Sequence, residues 1–265
     1  MSVNFFQKQK LSNTERPLAL TGEFLARYDY VSQKSSGKSI LDIGCGLGEG
    51  SKYLAEAGAK RVLGIDYAEA AVDFAREKNK LQNLEFRKLS AENLDVLKEN
   101  FDIIVAFELI EHLGPKAIPG FMADVSKKLA GGGTIYISTP NKLVSSPNQG
   151  RPENPFHEKE YAPDELEKIL RNYFQEVELL GLNCISDQYK KTADELKKNW
   201  QNKLASAIGR YKLARNILSF LPKSLKQSFT GENQLPKLGI DDFVFSGENI
   251  QTAENLFAIC RMLRL

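Results

Sequence analysis

From residue 39 to residue 182, short β-branched runs alternate with helical stretches, and this rhythm constrains the chain more than any other feature. Ser39–Ile43, Arg61–Asp66, Leu84–Leu89, Phe101–Phe107, Thr134–Ser138 and Val177–Leu182 read as strands. Between them Gly48–Ala57 is a helical pattern stopped by Gly58, and Ala68–Asn79 carries Ala, Val and Phe on one face. Ala117–Leu129 closes on the glycine run 131–133, and Pro163–Tyr173 opens with proline and two acids. A final apolar run, Leu256–Cys260, is a seventh strand. Alternation at this spacing requires right-handed crossovers, which predicts a doubly wound α/β fold with a mostly parallel sheet.

One stretch breaks the rhythm. Residues 187–230 hold ten lysines and arginines against three acids, a net of +7 in a chain whose total is only +2. Trp200, Leu204, Ile208, Tyr211, Leu218 and Leu221 fall on one helical stripe there, and Pro222 ends it. The predicted organisation is therefore an N-terminal helical lid over 1–37 and a core formed by 38–186 and 244–265. A basic helical insertion, 187–243, precedes the last strand. Cys45, Cys184 and Cys260 form no CxxC pair, which excludes a zinc knuckle or dithiol centre and reads as reduced thiols. No run approaches the roughly 18 apolar residues of a membrane span, and the first residues lack a secretory h-region, so a cytoplasmic protein is expected.

The first strand runs into Asp42-Ile43-Gly44-Cys45-Gly46-Leu47-Gly48 and then a helix. Open α/β sheets bind ligands at the carboxyl ends of their strands, so this turn is the expected site. A dinucleotide fingerprint needs a third glycine three residues after the second, but that position holds Glu49. The glycines instead follow G-x-G-x-G, with an acid two residues ahead. Asp42 would repel a pyrophosphate, yet it suits the cationic methionine end of a sulfonium cofactor. Asp66, at the end of the second strand, is placed to accept hydrogen bonds from ribose hydroxyls. Cys45 reads as a small filler in this loop, with a nucleophile as the other reading.

Four segments, ILDIGCGLGEGS, VLGIDYAEAAVDFARE, FDIIVAFELIEHL and GGGTIYISTPN, resemble the successive motifs of class I S-adenosylmethionine-dependent methyltransferases. The resemblance covers about residues 38–185 and the final strand. It implies a Rossmann-like sheet of seven strands whose last strand is antiparallel. It also implies that Gly44, Gly46 and Gly48 line S-adenosylmethionine, that Asp66 binds its ribose, and that Ser90, Ala91 and Glu92 border the adenine. The family usually has aspartate where this chain has Ser90. Cys45, Tyr67, Phe107 and Glu108 are implied neighbours of the cofactor, with Asp42.

Methyl transfer needs an acceptor held in line and stripped of its proton, by a base or beside a metal. Glu108-Leu109-Ile110-Glu111-His112 follows the fourth strand, and a helical turn there would put Glu108, Glu111 and His112 on one face. His157, the second of only two histidines, lies in a loop on the same sheet edge. The arrangement is similar to the metal site of small-RNA 2′-O-methyltransferases and to the acid–His patch of ubiquinone-pathway O-methyltransferases. Three readings stay open: Mg²⁺ or another divalent cation held by Glu108, Glu111, His112 and His157; proton abstraction by a histidine, with His112, Glu111 and His157 catalytic; and a structural role.

The overall pattern resembles bacterial methyltransferases associated with surface-glycan synthesis, through Ala26-Arg27-Tyr28, Ser138-Thr139-Pro140-Asn141, Asn154-Pro155-Phe156-His157 and Glu160-Tyr161. That implies O-methylation of a glycan or another small or lipid-linked acceptor, with a quinone or an RNA 2′-hydroxyl as alternatives. A cofactor-binding subunit without turnover is the alternative of another class. The basic insertion reads as a helical lid, as a peripheral membrane contact through 190–226, or as a phosphate-binding surface. Near-neutral charge and the lack of any RNA-binding module argue against nucleic acid. Phe5, Phe6, Phe24, Tyr28 and Tyr30 mark an amphipathic N-terminal helix whose rings are expected to pack in the core.

Overall fold

A computed structural model describes residues 18–147, 151–188, 190–192, 195 and 238–262. The eight strands of its sheet are β1 Ser39–Ile43, β2 Arg61–Asp66, β3 Leu84–Lys88, β4 Phe101–Phe107, β5 Leu129–Pro140, β6 Glu176–Cys184, β7 Phe243–Ser246 and β8 Asn255–Arg261. Among the described residues the helices include α1 Leu18–Ser32, α2 Glu49–Glu56, α3 Glu69–Lys78, α4 Ile118–Lys128, α5 Lys142–Ser145 and α6 Pro163–Leu170. The strand order is β3-β2-β1-β4-β5-β8-β6-β7. From β3 to β5 every pairing is parallel, and β8 runs antiparallel to both β5 and β6.

The seven strands expected become eight. The addition, β7, is four residues long and sits at the sheet edge beside β6. Its first residue, Phe243, falls in the stretch expected to belong to the insertion. The expected helix Ala117–Leu129 ends at Lys128, and the glycine run 131–133 belongs to the start of β5 instead. Pairing there is irregular between Phe101 and Ile103, so the glycines sit where the strand departs from regular register.

Period-two alternation sends each strand's side chains to two faces. Leu41, Ile43, Leu63, Ile65, Ile104 and Ile137 pack with Phe121 and Val125 of α4 and Leu166 of α6. Ile40, Val62, Ile103, Val105, Phe107 and Phe257 face Tyr28 and Val31 of α1 and Leu54 of α2. Asp42 shares this second face by the same alternation, which carries a carboxylate into an apolar layer.

The chain divides into two compact units, one comprising 24–183 with 244–262, the other 18–23 with 184–243, over the described residues. In the second, Cys184 and Leu238 are buried with Phe243 against them, and the Ile185 N–H donates to the Asp242 carbonyl at 2.8 Å. Phe24, Tyr28 and Tyr30 pack in the core of the first unit, as expected of these rings. Phe5 and Phe6 lie outside the described residues, as does the stripe from Trp200 to Leu221 and most of 190–226. Among the described residues no helix is long and apolar enough to cross a membrane.

Candidate active site

The glycine loop between β1 and α2 is shaped by three left-handed glycines: φ is 77° at Gly44, 57° at Gly46 and 82° at Gly48. At Gly48 a β-carbon would lie 2.5 Å from the Phe86 ring and 2.9 Å from the Ala75 methyl, so backbone angle and packing both demand glycine. Gly46 differs, since its missing β-carbon would meet nothing within 4 Å. The loop thus presents bare backbone to open space there, as close approach by a ligand requires. Cys45 is buried in a small cluster with Val72, Ala75 and Phe86, packed there as a small side chain.

Asp66 ends β2 with its carboxylate folded back on the loop. Its Oδ2 accepts from the Gly46 N–H at 3.0 Å and its Oδ1 from the Ala68 N–H at 2.9 Å. A carboxylate has about four lone-pair sites, so capacity remains for ribose hydroxyls. Tyr67 beside it is 42% exposed, and partial desolvation, then the Asp66 charge, push its hydroxyl up to about 12. Ser90 caps the short turn Ala91–Val96 by accepting from the Glu92 N–H at 3.2 Å, with Ala91 half-buried and Glu92 exposed at the edge.

Asp42, the acid expected to suit the cationic methionine end of the cofactor, is held inside the protein. It is 1% exposed, and its oxygens accept from Ser51 Oγ at 2.5 Å and from the Tyr28 hydroxyl at 3.2 and 3.3 Å. Burial raises its pKa to about 7, against the lowering effect of the two hydroxyls and with a further upward push from Asp66. Ser51 carried no sequence signal of this role, because pairing it with Asp42 needs the helix packed back on the strand.

Glu108 follows β4 and Phe107 with φ of 50°, in the left-handed region where a non-glycine residue stores about 1–3 kcal/mol of strain. Its N–H donates to the Ser138 carbonyl at 3.0 Å, and Ser138 Oγ donates to its Oε1 at 2.9 Å. Arg27 Nη2, on a side chain only 5% exposed, lies 3.3 Å from the same oxygen. The expected helical face is therefore not formed. A single tight turn covers only Ile110–His112, and the kink at Glu108 turns that carboxylate toward Arg27 and Ser138.

Glu111 and His112 do meet His157. One ligand atom from each of the three lies within 4.8 Å of the others, while Glu108 stands outside this group. Glu111 is buried, its Oε2 accepting from Thr139 Oγ1 at 2.9 Å, while its buried Oε1 has no hydrogen-bond partner. Burial, then the Glu108 charge, holds its pKa well above the usual carboxylate range. The two imidazoles meet edge to face, centroids 4.9 Å apart.

The backbone fixes the tautomers. His112 Nδ1 faces the Phe156 carbonyl at 3.0 Å, an acceptor only, so Nδ1 carries the proton and Nε2 the lone pair. Burial lowers the His112 pKa below the ordinary histidine value, with His157 acting the same way and the Phe156 carbonyl opposing. His157 is engaged at both nitrogens: Nδ1 with Glu160 Oε1 at 2.6 Å, and Nε2 with Asn154 Nδ2 at 2.8 Å. The Phe156 N–H donates to Asn154 Oδ1 at 3.1 Å, which orients that amide with its NH₂ toward His157.

Glu160 is the hub of this loop, taking Ser145 Oγ at 2.5 Å and Ser146 Oγ at 2.7 Å as well. Burial would raise its pKa, but the two serines and His157 outweigh it and the group sits below its usual value. Asn141 ties the loop's start to the turn before β8, its Nδ2 reaching carbonyls of Ile250, Gln251 and Ala253 at 3.1, 3.3 and 2.8 Å.

A methyltransferase-domain family model matches residues 40–133. A Mycolicibacterium smegmatis protein named "Probable S-adenosylmethionine-dependent methyltransferase" is 34% identical over 57% of this chain and 57% of its own length. A Rhizobium etli ubiquinone biosynthesis O-methyltransferase is 31% identical over 60% of this chain and 69% of its own. The chain spans a little over half the length of the mycobacterial relative. The crystal structure of a SAM-dependent methyltransferase from Archaeoglobus fulgidus superposes with a TM-score of 0.60 at 19% identity, covering 97% of this chain and all of that one. A glycine loop open at Gly46, Asp66 clasping it, and relatives of this kind place the chain in the class I S-adenosylmethionine-dependent methyltransferases.

Proposed function

We propose that the protein methylates a hydroxyl group on a glycan or another small or lipid-linked acceptor, with His112 as the base. The observation that carries this reading is the His112 tautomer, with Nδ1–H on the Phe156 carbonyl and a basic Nε2 beside Glu111. Gly44, Gly46 and Gly48 would cradle the cofactor, Asp66 would hold its ribose, and Ser90, Ala91 and Glu92 would border its base. When bound, S-adenosylmethionine supplies a methyl group made electrophilic by the attached sulfonium. His112 takes the acceptor's proton at Nε2, and the Phe156 carbonyl stabilises the imidazolium through Nδ1–H. Its lowered pKa keeps His112 neutral and able to accept at neutral pH. Asn154 and Glu160 hold His157 as a wall at its edge. The Rhizobium relative's name specifies oxygen as the methylated atom, which supports a hydroxyl over a nitrogen or carbon.

A second reading places a divalent cation at Glu111, His112 and His157. The buried, unpartnered Glu111 Oε1 favours it, and the Asn154 bond to His157 Nε2 weighs against it, since ligation there must displace the amide. Transfer of labelled methyl from S-adenosylmethionine into fractionated host extract, with and without excess chelator, tests both. Label in a carbohydrate or lipid-linked fraction that survives chelator supports the first. Loss of label with chelator supports the second, label in RNA removes the acceptor assignment, and no label in any fraction leaves a cofactor-binding subunit. Residues 190–226 are proposed to rest on an anionic membrane surface, and liposome co-sedimentation unchanged by their deletion would remove that.

A further inference from the structure

Asp42 belongs to the strand that enters the glycine loop and Ser51 to the helix that leaves it, and the two side chains meet under the loop. The residues beside Asp42 in the sheet are Gly64 of β2 and Val105 of β4, neither of which has a side-chain donor. Gly64 makes room for one, since a β-carbon there would come within 2.8 Å of Ser51 Oγ. From α1 the Tyr28 hydroxyl spans both carboxylate oxygens at 3.2 and 3.3 Å, longer than the 2.5 Å bond from Ser51. The Tyr28 ring is fixed edge-on to Phe107 at the end of β4, centroids 5.0 Å apart.

A carboxylate in an apolar layer is costly unless hydrogen bonds compensate it. Burial, and then the like charge of Asp66, oppose ionisation of Asp42, while the Ser51 and Tyr28 hydroxyls favour it, and the group is poised at about 7. A cation arriving at the loop would tip that balance. S-adenosylmethionine brings an ammonium group and a sulfonium, and charges a few ångströms apart in a protein interior attract strongly without touching.

Resting on the cofactor's seat at the glycine loop, we propose that Ser51 and Tyr28 are positioning residues for cofactor binding, their hydroxyls holding the Asp42 carboxylate as a buried counter-ion to the cofactor's cationic end. Both side chains are buried and turned to Asp42, so they act through it. Binding is then linked to a proton. The free protein protonates Asp42 below about pH 7 and the complex only at lower pH, so affinity falls as pH drops through that range.

S-adenosylhomocysteine, which keeps the ammonium group, titrated calorimetrically into the full-length protein from pH 6 to 8.5 tests this. Wild-type affinity should fall as pH is lowered through about 7. Losing one donor to a charged acceptor shifts an equilibrium about tenfold, so Ser51→Ala should raise that midpoint by about one pH unit. Its affinity loss is then about three- to fivefold at pH 7 and under about twofold at pH 8.5. Tyr28→Phe keeps the ring and should move the midpoint the same way by less, as its longer bonds require. Asp42→Asn should flatten the profile, and Ser51→Ala added to it should change nothing further. Tyr53→Phe removes a different bond between α2 and α1, to Asp29 Oδ1 at 2.8 Å, and should leave the profile intact. A flat wild-type profile, an equal loss at both pH values in Ser51→Ala, or a loss that persists beside Asp42→Asn overturns the proposal. Absence of binding, or binding undiminished in Asp66→Ala, removes the cofactor's seat at the loop and the proposal with it. Binding that needs Asp66 but ignores Ser51 and Tyr28 removes the proposal alone.

Discussion

Two titratable groups at the site respond to pH in opposite senses, and each can be isolated by one substitution. His112 has a lowered pKa, chiefly through burial, so its basic form persists to lower pH than an ordinary histidine's. Methyl transfer should be level around neutrality and fall only below about pH 6.5. His112→Ala should cost about 10²–10⁴ in rate while S-adenosylhomocysteine affinity stays within twofold. An acid limb above pH 7 in the wild type would count against His112 as the base. Asp42 holds its proton to about pH 7 in the folded protein, whereas an unfolded aspartate loses it near 3.9. Between those values the folded state binds more protons, so this group's contribution favours folding at the acid end. It is lost as pH rises toward 7, to the extent of a few kcal/mol. Asp42→Asn keeps an oxygen for Ser51 and Tyr28 to donate to, and should flatten the dependence of urea stability on pH from 4 to 7. An unchanged slope in that variant would show that Asp42 ionises normally.

At the scale of elements, the site depends on a helix packed without clearance and on a loop tied at its start. A β-carbon on Gly50 of α2 would come within 2.0 Å of the Tyr28 ring on α1. Gly50→Ala should therefore cost about 1–3 kcal/mol by denaturant melting, and Tyr28→Ala in the same chain should return part of it. Asn141→Ala strips three backbone carbonyls of their donor and should cost about 2–3 kcal/mol. These couplings mark the limit of what could be read from residues alone. Strands β1, β2 and β4 match their expected bounds because each is mostly apolar and buried on both faces, and the end of α2 and the start of α6 fall close to expectation because Gly58 and Pro163 mark them. The edge strand β7 has four residues and little apolar contrast with its surroundings, so periodicity does not reveal it. In the site, Glu111, His112 and His157 could be grouped because all lie at one sheet edge. The exclusion of Glu108 could not be read, because it comes from one left-handed residue and from Arg27, 81 positions away in sequence. Glu160 and Asn154 stood within recognised motifs, yet their hold on His157 needs the loop's coordinates.

Across the whole molecule, β1, β2 and β4 end on one edge of the sheet, carrying the glycine loop, Asp66 and the Glu108–His112 turn. Cofactor and base should therefore couple to stability through separate residues. Ligand that binds only the folded state at 100 times its dissociation constant contributes about 2.7 kcal/mol, roughly 5–10 °C in Tm for a domain of this size. S-adenosylhomocysteine should produce such a shift in the wild type and in His112→Ala. Asp66→Ala should abolish most of it, since that carboxylate both clasps Gly46 and is proposed to hold the ribose. NADH should produce no shift, because Glu49 stands where a dinucleotide loop needs its third glycine. A shift of equal size in Asp66→Ala would move the cofactor away from the β1–β2 edge and dissolve the geometry on which the His112 assignment depends. An undiminished wild-type shift in excess chelator, with transfer also retained, would leave the imidazole as the base without a bound cation.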